Sequence, residues 1–135
     1  MKALLDTNII IHREAGRVVI QDIGILFRWL DRAKYSKCIH PVTLEEIQKN
    51  PNKDTVQAFM AKLDSYEQII ISTPLQIEVK AISDELDINE NDRNDSILLN
   101  EVFAGRVDIL ITEDKKIHLK AKRLNISDKV FKILA

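Results

Sequence analysis

The stretch KALLDTNIII, residues 2–11, decides how the chain is organised, because it sets one acid between two apolar runs. Ala3–Leu5 precede Asp6, three isoleucines follow shortly after it, and the next basic residue along the chain is Arg13. A carboxylate between two segments that favour burial needs a partner that the tertiary structure supplies. We predict that a buried strand ends at Leu5 and that Asp6 opens the connection to a helix.

Length and composition bound the class of protein. The chain has 135 residues, of which 45% are apolar and 30% charged, with a net charge of −1, as is typical of one soluble globular domain. No apolar run approaches the roughly 20 residues of a membrane span, and no long signal-peptide stretch follows Met1. Cys38 is the single cysteine, which excludes an internal disulfide; we expect a small buried residue rather than a nucleophile. We therefore expect one cytoplasmic domain over residues 1–135, without a membrane segment.

Short apolar runs alternate with segments of helical periodicity. Five runs rich in Leu and β-branched residues are candidate strands: Lys2–Leu5, Lys37–His40, Gln68–Ser72, Val107–Thr112 and Val130–Leu134. Between them apolar residues recur at i, i+3, i+4 and i+7, in stripes that begin at Ile23, Val56, Leu75 and Leu98. Pro41 and Pro74 are placed to open helices, and Gly105 is placed to end one. The alternation predicts an α/β sandwich around a central parallel sheet with right-handed crossovers.

Four acids fall where such a sheet forms its functional sites. Open parallel sheets bind ligands at the carboxyl ends of their strands. Asp6 follows the first predicted strand and Asp114 follows the fourth, so both would lie on one rim of the sheet. Glu46 lies on the helix after the second strand, and Asp95 lies in the first turn of the helix that leads to the fourth.

Each acid alone has an ordinary structural explanation. Asp is a favoured helix N-cap, and Glu46 beside Glu45 fits a solvent-facing position. Several carboxylates close together, however, repel one another and raise their pKa values unless a cation neutralises them. Mg²⁺ and Mn²⁺ take oxygen ligands from a few carboxylates, whereas no Cys or His spacing here suggests zinc. The four acids in combination therefore favour a Mg²⁺ or Mn²⁺ site.

Four segments together resemble, in order and spacing, the acidic motifs of the PIN-domain ribonucleases: LLDTN, the Glu46 of VTLEEI, the Asp95 of NDSILL, and ILITEDKKI. The resemblance spans Met1 to about Leu134. It implies a three-layer sandwich with a five-stranded parallel sheet and a Mg²⁺- or Mn²⁺-dependent endoribonuclease. Many members are toxins of toxin–antitoxin systems, usually dimeric and inhibited by a small protein. The implied partners are therefore RNA, an antitoxin and a second copy of the chain.

Carried over position by position, the resemblance implies a catalytic and metal-binding quartet of Asp6, Glu46, Asp95 and Asp114. Glu45 is the alternative to Glu46. Asn8 resembles the polar residue that helps to fix the site, and Thr112 resembles the hydroxyl near the fourth acid. Asp92 is an extra acid, either a ligand in place of Asp95 or a supporting group. Small toxins of the family continue with a closing helix where this chain stops at VFKILA, so the domain is interpreted as the N-terminal part of a longer chain.

An acidic cleft repels RNA, so the site needs cations besides the metal. The helix predicted after Asp114 offers Lys115, Lys116 and Lys120, and Arg93 is a further candidate. Contacts to phosphate position a strand without reading its sequence. We predict Lys115, Lys116 and Arg93 as phosphate-binding residues, although a solvated helix face explains the lysine run equally well.

Two other classes of protein share parts of this pattern. A signalling receiver domain needs a phosphoacceptor Asp after its third strand, where QIIISTP has none, and paired acids after its first strand. A PIN-fold module that binds RNA or protein without catalysis is the remaining alternative, and the complete acid quartet argues against it. The favoured reaction is hydrolysis of RNA phosphodiester bonds to 5′-phosphate and 3′-hydroxyl ends, with metal-bound water as nucleophile.

Overall fold

The computed structural model describes residues 1–14 and 21–133, with side chains described for residues 1–11 and 24–133. In this part of the chain five strands form one sheet, in which every pairing is parallel. The strand order is β3-β2-β1-β4-β5, with β1 in the middle. The strands are β1 (Lys2–Leu5), β2 (Ser36–Ile39), β3 (Glu67–Gln68), β4 (Ile109–Ile111) and β5 (Val130–Phe131). The predicted α/β class and the five-stranded parallel sheet are both confirmed.

Within the described residues, seven α-helices connect the strands and cover the sheet. They are α1 (Thr7–Glu14), α2 (Gln21–Arg32), α3 (Pro41–Gln48), α4 (Lys53–Lys62), α5 (Ile77–Leu86), α6 (Glu90–Phe103) and α7 (Lys115–Arg123). Short 3₁₀ turns at Leu63–Ser65 and Ser127–Lys129 precede β3 and β5. Within the described residues, no helix combines the length and the apolarity needed to cross a lipid bilayer.

Two apolar clusters lie on opposite faces of the sheet, because successive side chains of a strand point to opposite sides. Leu5 packs on one face with residues of α1 and α2, among them Ile10, Phe27 and Leu30. Leu4 packs on the other face with Cys38 of β2 and with residues of α6 and α7, among them Leu98 and Ile117. Cys38 is buried, as the sequence predicts, and the side chain of Ile23 lies outside the described residues. The molecule is therefore a three-layer sandwich.

The third strand and the helix after it differ from the sequence prediction. The strand was expected over Gln68–Ser72 and the helix to begin near Pro74, but β3 ends at Gln68 and α5 begins at Ile77. Side chains of α6 hold the segment between them: Asn100 Oδ1 accepts from the Gln76 N–H at 2.9 Å, and Glu101 Oε1 accepts from the Thr73 N–H at 3.0 Å. Residues 69–76 belong to no strand or helix: Ile69 still donates its N–H to the Ile39 carbonyl of β2 at 3.0 Å, and α6 holds the chain from Thr73 to Gln76.

Most of the other strand boundaries differ from the prediction by a residue or two. Gly105 has φ of +78° just past the end of α6, which is the left-handed conformation expected of a glycine that ends a helix. β4 begins at Ile109 rather than Val107, and its neighbour Asp108 donates its N–H to the Lys2 carbonyl at 2.9 Å. β5 ends at Phe131, so Lys132 and Ile133 do not belong to the strand that was expected to reach Leu134; Leu134 itself lies outside the described residues.

Candidate active site

Asp6 and Thr112 meet at the carboxyl ends of the two central strands. The Asp6 N–H donates to the Ile111 carbonyl at 3.1 Å, which continues the β1–β4 pairing by one residue. The Thr112 hydroxyl donates to Asp6 Oδ2 at 2.6 Å, and both side chains are buried. Burial raises the pKa of the Asp6 carboxyl, the Thr112 hydrogen bond opposes that rise, and the charge of Asp114 adds to it. The buried carboxylate of Asp6 is therefore hydrogen-bonded to a hydroxyl group, and no basic side chain in the described part of the chain forms an ion pair with it.

Asp114 joins the same hydrogen-bonded group. Its N–H donates to the Thr112 hydroxyl at 3.0 Å, so this one hydroxyl is bonded to both acidic residues. Asp114 is also the N-cap of α7, since its Oδ1 accepts from the N–H groups of Lys116 and Ile117 at 2.7 and 3.3 Å. The capping explanation considered for this residue is therefore correct, and it coexists with a place at the rim.

Glu46 approaches the rim from α3. The Thr7 hydroxyl donates to Glu46 Oε1 at 3.0 Å and lies 2.9 Å from the Thr43 hydroxyl. Burial raises the pKa of Glu46, the Thr7 hydrogen bond lowers it, and the charge of Asp6 raises it further. Glu45, the alternative ligand, is exposed.

Thr7 is a residue that the sequence analysis missed. It is buried and contacts Glu46, whereas Asn8, which was expected to help fix the site, is exposed. A signal was available, because Thr7 stands three residues before the buried Ile10 and so shares its face of α1.

Asp95 completes the group from the first half of α6. Burial raises its pKa to about 8, and the charges of Asp6, Asp114 and Glu46 all raise it, against a lowering effect of Lys120. Asp95 therefore lies within electrostatic reach of the other three predicted acids. A salt bridge to any of these acids would need a Lys, Arg or His nitrogen within 4 Å. Among the described residues, none of the four acids has such a partner.

The described acids do not form a complete metal-binding cluster. In the described part of the chain, no three Asp, Glu, His or Cys side chains are arranged as a complete cage for a metal ion. The donors are nevertheless all carboxylate and hydroxyl oxygens, which are the ligands that Mg²⁺ and Mn²⁺ prefer. The donor atoms of these residues therefore fit a hard divalent cation in their chemistry.

Asp92, the alternative to Asp95, is engaged elsewhere. Its Oδ2 accepts from the Ile88 N–H at 3.2 Å and its Oδ1 lies 3.3 Å from Lys116 Nζ. The hydrogen bond from Ile88 lowers the pKa of Asp92 despite burial, and Lys116 lowers it further. This carboxylate stabilises the start of α6.

The predicted phosphate-binding residues have different surroundings. Lys115, directly after Asp114, and Arg93, two residues before Asp95, are both exposed. Lys116 is paired with Asp92. Lys120, which the sequence offered only as a candidate cation, is 2% exposed, and its Nζ lies 2.5 Å from Asp87 Oδ1 in the interior. The burial follows from helical spacing, because Lys120 stands three residues after the buried Ile117.

The comparisons with known proteins agree with this architecture. The sequence model of the PIN domain matches residues 2–116. Among solved structures, a chain of VapBC2 from Rickettsia felis, crystallised with a DNA fragment from their promoter, is similar with a TM-score of 0.63 and 18% identity, covering 98% of each chain. No curated protein matches the sequence. Because the family match covers most of the chain and the fold agrees with it, the protein belongs to the PIN domain family.

Proposed function

We propose that this chain is a Mg²⁺- or Mn²⁺-dependent endoribonuclease that holds its metal with Asp6, Glu46, Asp95 and Asp114. One observation carries the proposal: these acids share one rim of the sheet without a salt bridge among the described residues, and neighbouring charges raise the pKa of three of them. A divalent cation converts such repulsion into attraction. Membership of a family known for nucleases supports the same reading by analogy.

The threonines orient the carboxylates. Thr112 holds one oxygen of Asp6 and leaves the other for a ligand, and Thr7 does the same for Glu46. Hydrogen-bonded supports of this kind fix the direction of a metal-binding carboxylate. Asp114 is held through its own N–H and its cap bonds, which use Oδ1. When bound, the ion would supply an acidified water and stabilise negative charge on the attacked phosphate.

The substrate is expected to lie across the rim. Lys115, the first residue of α7, and Arg93, on α6 near Asp95, are exposed and can contact backbone phosphates. A cavity of about 200 Å³ lies beside Glu46 and is lined in part by Ile47, Asn50 and Phe59. Of the four acids only Glu46 lines this cavity, and the space is of a size to take a base beside that carboxylate. Cleavage would leave a 5′-phosphate and a 3′-hydroxyl.

We further propose a cytoplasmic toxin of a two-protein system, a dimer that an antitoxin inhibits. The support is the family and the similar fold of a chain in the VapBC2 complex. Copurification of the chain with the product of a neighbouring gene, followed by loss of cleavage in the complex, would test this part.

The cleavage experiment uses purified protein and a 5′-labelled single-stranded RNA with Mg²⁺, Mn²⁺ or EDTA. Glu46→Gln and Glu45→Gln form a matched pair, since the two residues are neighbours on α3 and only Glu46 contacts Thr7. We expect Glu46→Gln and Asp6→Asn to abolish metal-dependent cleavage and Glu45→Gln to retain it. Cleavage that survives EDTA, or that persists in Asp6→Asn, would contradict the proposal.

A noncatalytic binding module is the second candidate, and the incomplete metal cage is the observation that favours it. Calorimetry with Mn²⁺ separates the two. Binding heat that Asp6→Asn eliminates supports the nuclease, whereas RNA binding without any Mn²⁺ binding supports the module.

A further inference from the structure

One face of α7 is joined to residues 85–92 by three ion pairs. Lys116 Nζ lies 3.3 Å from Asp92 Oδ1, Lys120 Nζ lies 2.5 Å from Asp87 Oδ1, and Arg123 lies 2.7 Å from Glu85 Oε2. The three basic residues stand at i, i+4 and i+7, so they share one side of the helix. The first pair joins an exposed Lys116 to a buried Asp92, the last pair is exposed, and the middle pair is buried.

Lys120 makes more contacts than its ion pair. Its Nζ also donates to the Asp92 carbonyl at 3.1 Å and to the Ser96 hydroxyl at 2.9 Å. Asp87 Oδ2 in turn accepts from the hydroxyls of Ser83 and Ser96 at 2.5 and 2.6 Å. The ammonium therefore has three oxygen partners in the interior of the protein.

Stability alone is a weak reason for this network. Burying an ion pair carries a large desolvation cost, and an apolar replacement of similar volume is often neutral or stabilising. The positions of the contacts suggest another reason. Asp92 and Ser96 stand three residues before and one residue after Asp95 on α6, whereas Lys120 belongs to the helix that Asp114 opens.

We propose that Lys120 is a positioning residue of the acidic site, which sets Asp95 on α6 opposite Asp114 on α7 without contacting metal or substrate. The proposal rests on the proposed metal-dependent function. Lys120 also supplies positive charge that counters the acids around Asp95, in agreement with its effect on the pKa of that residue. Losing Lys120 would let the two helices shift and would separate two of the four carboxylates.

The sharpest test compares two serines that make the same kind of hydrogen bond. Ser96→Ala and Ser83→Ala each delete one hydroxyl that donates to Asp87 Oδ2, but only Ser96 also accepts from Lys120 and stands beside Asp95. Each variant is measured for urea unfolding, for Mn²⁺ affinity by calorimetry, and for kcat and KM of RNA cleavage. We expect similar unfolding, with Mn²⁺ affinity and kcat lowered about 10-fold only in Ser96→Ala and KM for RNA little changed.

A second variant removes the ion pair without leaving a lone buried charge. Lys120→Met with Asp87→Asn should keep near-normal stability but lose Mn²⁺ affinity by about 10- to 100-fold. If this double variant is unfolded, the serine pair decides the question. Equal Mn²⁺ affinities of Ser96→Ala and Ser83→Ala, or normal affinity of a folded double variant, would overturn the proposal. Absence of Mn²⁺ binding by the unmodified protein would instead overturn the proposed function, and this inference would fall with it.

Discussion

At the scale of single residues, Thr112 links two of the four acidic residues at the rim of the sheet. Its hydroxyl donates to Asp6 and accepts from the Asp114 N–H, while its carbonyl lies 2.8 Å from His118 Nε2. A hydrogen bond to the charged form of an acid lowers the pKa of that acid. Thr112 therefore helps to keep Asp6 ionised, which a metal ligand requires.

Thr112→Val removes this hydroxyl and nearly preserves the shape of the side chain. Asp6 then loses its donor, so its pKa should rise and Mn²⁺ binding should require a higher pH. We expect about 10- to 100-fold weaker Mn²⁺ binding at pH 7, with partial recovery at pH 9. Calorimetry at the two pH values measures the effect, and an unchanged pH profile would contradict it.

Asp95 should destabilise the metal-free protein. Its pKa is raised from 3.8 to about 8 in the folded state, so between these values the folded chain holds a proton that the unfolded chain has lost. Stability therefore decreases as pH rises through this window.

Asp95→Asn removes the titrating group. In EDTA it should raise the free energy of unfolding at pH 8 by on the order of 1–3 kcal/mol, and the gain should shrink toward pH 4. Urea unfolding at both pH values measures it, with Asp84→Asn at an exposed position as the control. A loss of stability at pH 8 would show that the sign is wrong. The same variant should lose metal-dependent cleavage.

At the scale of elements, α6 organises its surroundings beyond the site. Its first half carries Asp95, and its second half holds the irregular segment 69–76 through Asn100 and Glu101. The Glu101 side chain also lies 3.6 Å from His40 Nε2, and His40 caps α3, the helix that carries Glu46. Through these contacts α6 supports both the segment before α5 and the start of α3, the helix that carries Glu46.

Asn100→Ala should loosen the segment without touching the acids. Asn100 accepts from the Gln76 N–H and donates to the carbonyls of Thr73 and Pro74 at 3.1 Å each, in a fully buried position. Losing these bonds leaves partly buried backbone groups without their protein partner, so we expect a destabilisation of about 1–3 kcal/mol. Hydrogen exchange should accelerate at residues 73–76, and Asn91→Ala, at an exposed position of the same helix, should change neither quantity.

At the scale of the whole molecule, metal binding and folding should be coupled. The four acids come from elements far apart in sequence, so a cation that joins them binds the folded chain and not the unfolded one. A ligand with this preference stabilises the protein by RT ln(1 + [L]/Kd), or about 2.7 kcal/mol at a hundredfold excess over Kd.

Mn²⁺ should accordingly raise the Tm of the protein, and EDTA should reverse the change. The increase should be larger at pH 8 than at pH 5, because the raised pKa values of Asp6, Glu46 and Asp95 leave more of their protons in place at the lower pH. Asp6→Asn should show little increase at either pH. A Tm that Mn²⁺ leaves unchanged at pH 8 would count against a metal site.

The sequence by itself determined the class of fold and the location of the candidate site. Local periodicity distinguishes short buried strands from amphipathic helices, and parallel strands place the residues that follow them on one rim. Asp6 and Asp114 could therefore be assigned to that rim without coordinates, and the structure brings Glu46 and Asp95 within electrostatic reach of them.

Only the tertiary structure decided which polar side chains serve the interior. Thr7 rather than Asn8 contacts Glu46, α6 holds the chain at Thr73 and Gln76 beyond the short β3, and Lys120 turns inward to Asp87. These outcomes join residues between 24 and 39 positions apart. Periodicity describes one element at a time, whereas the partner of a buried polar group depends on which elements pack against each other.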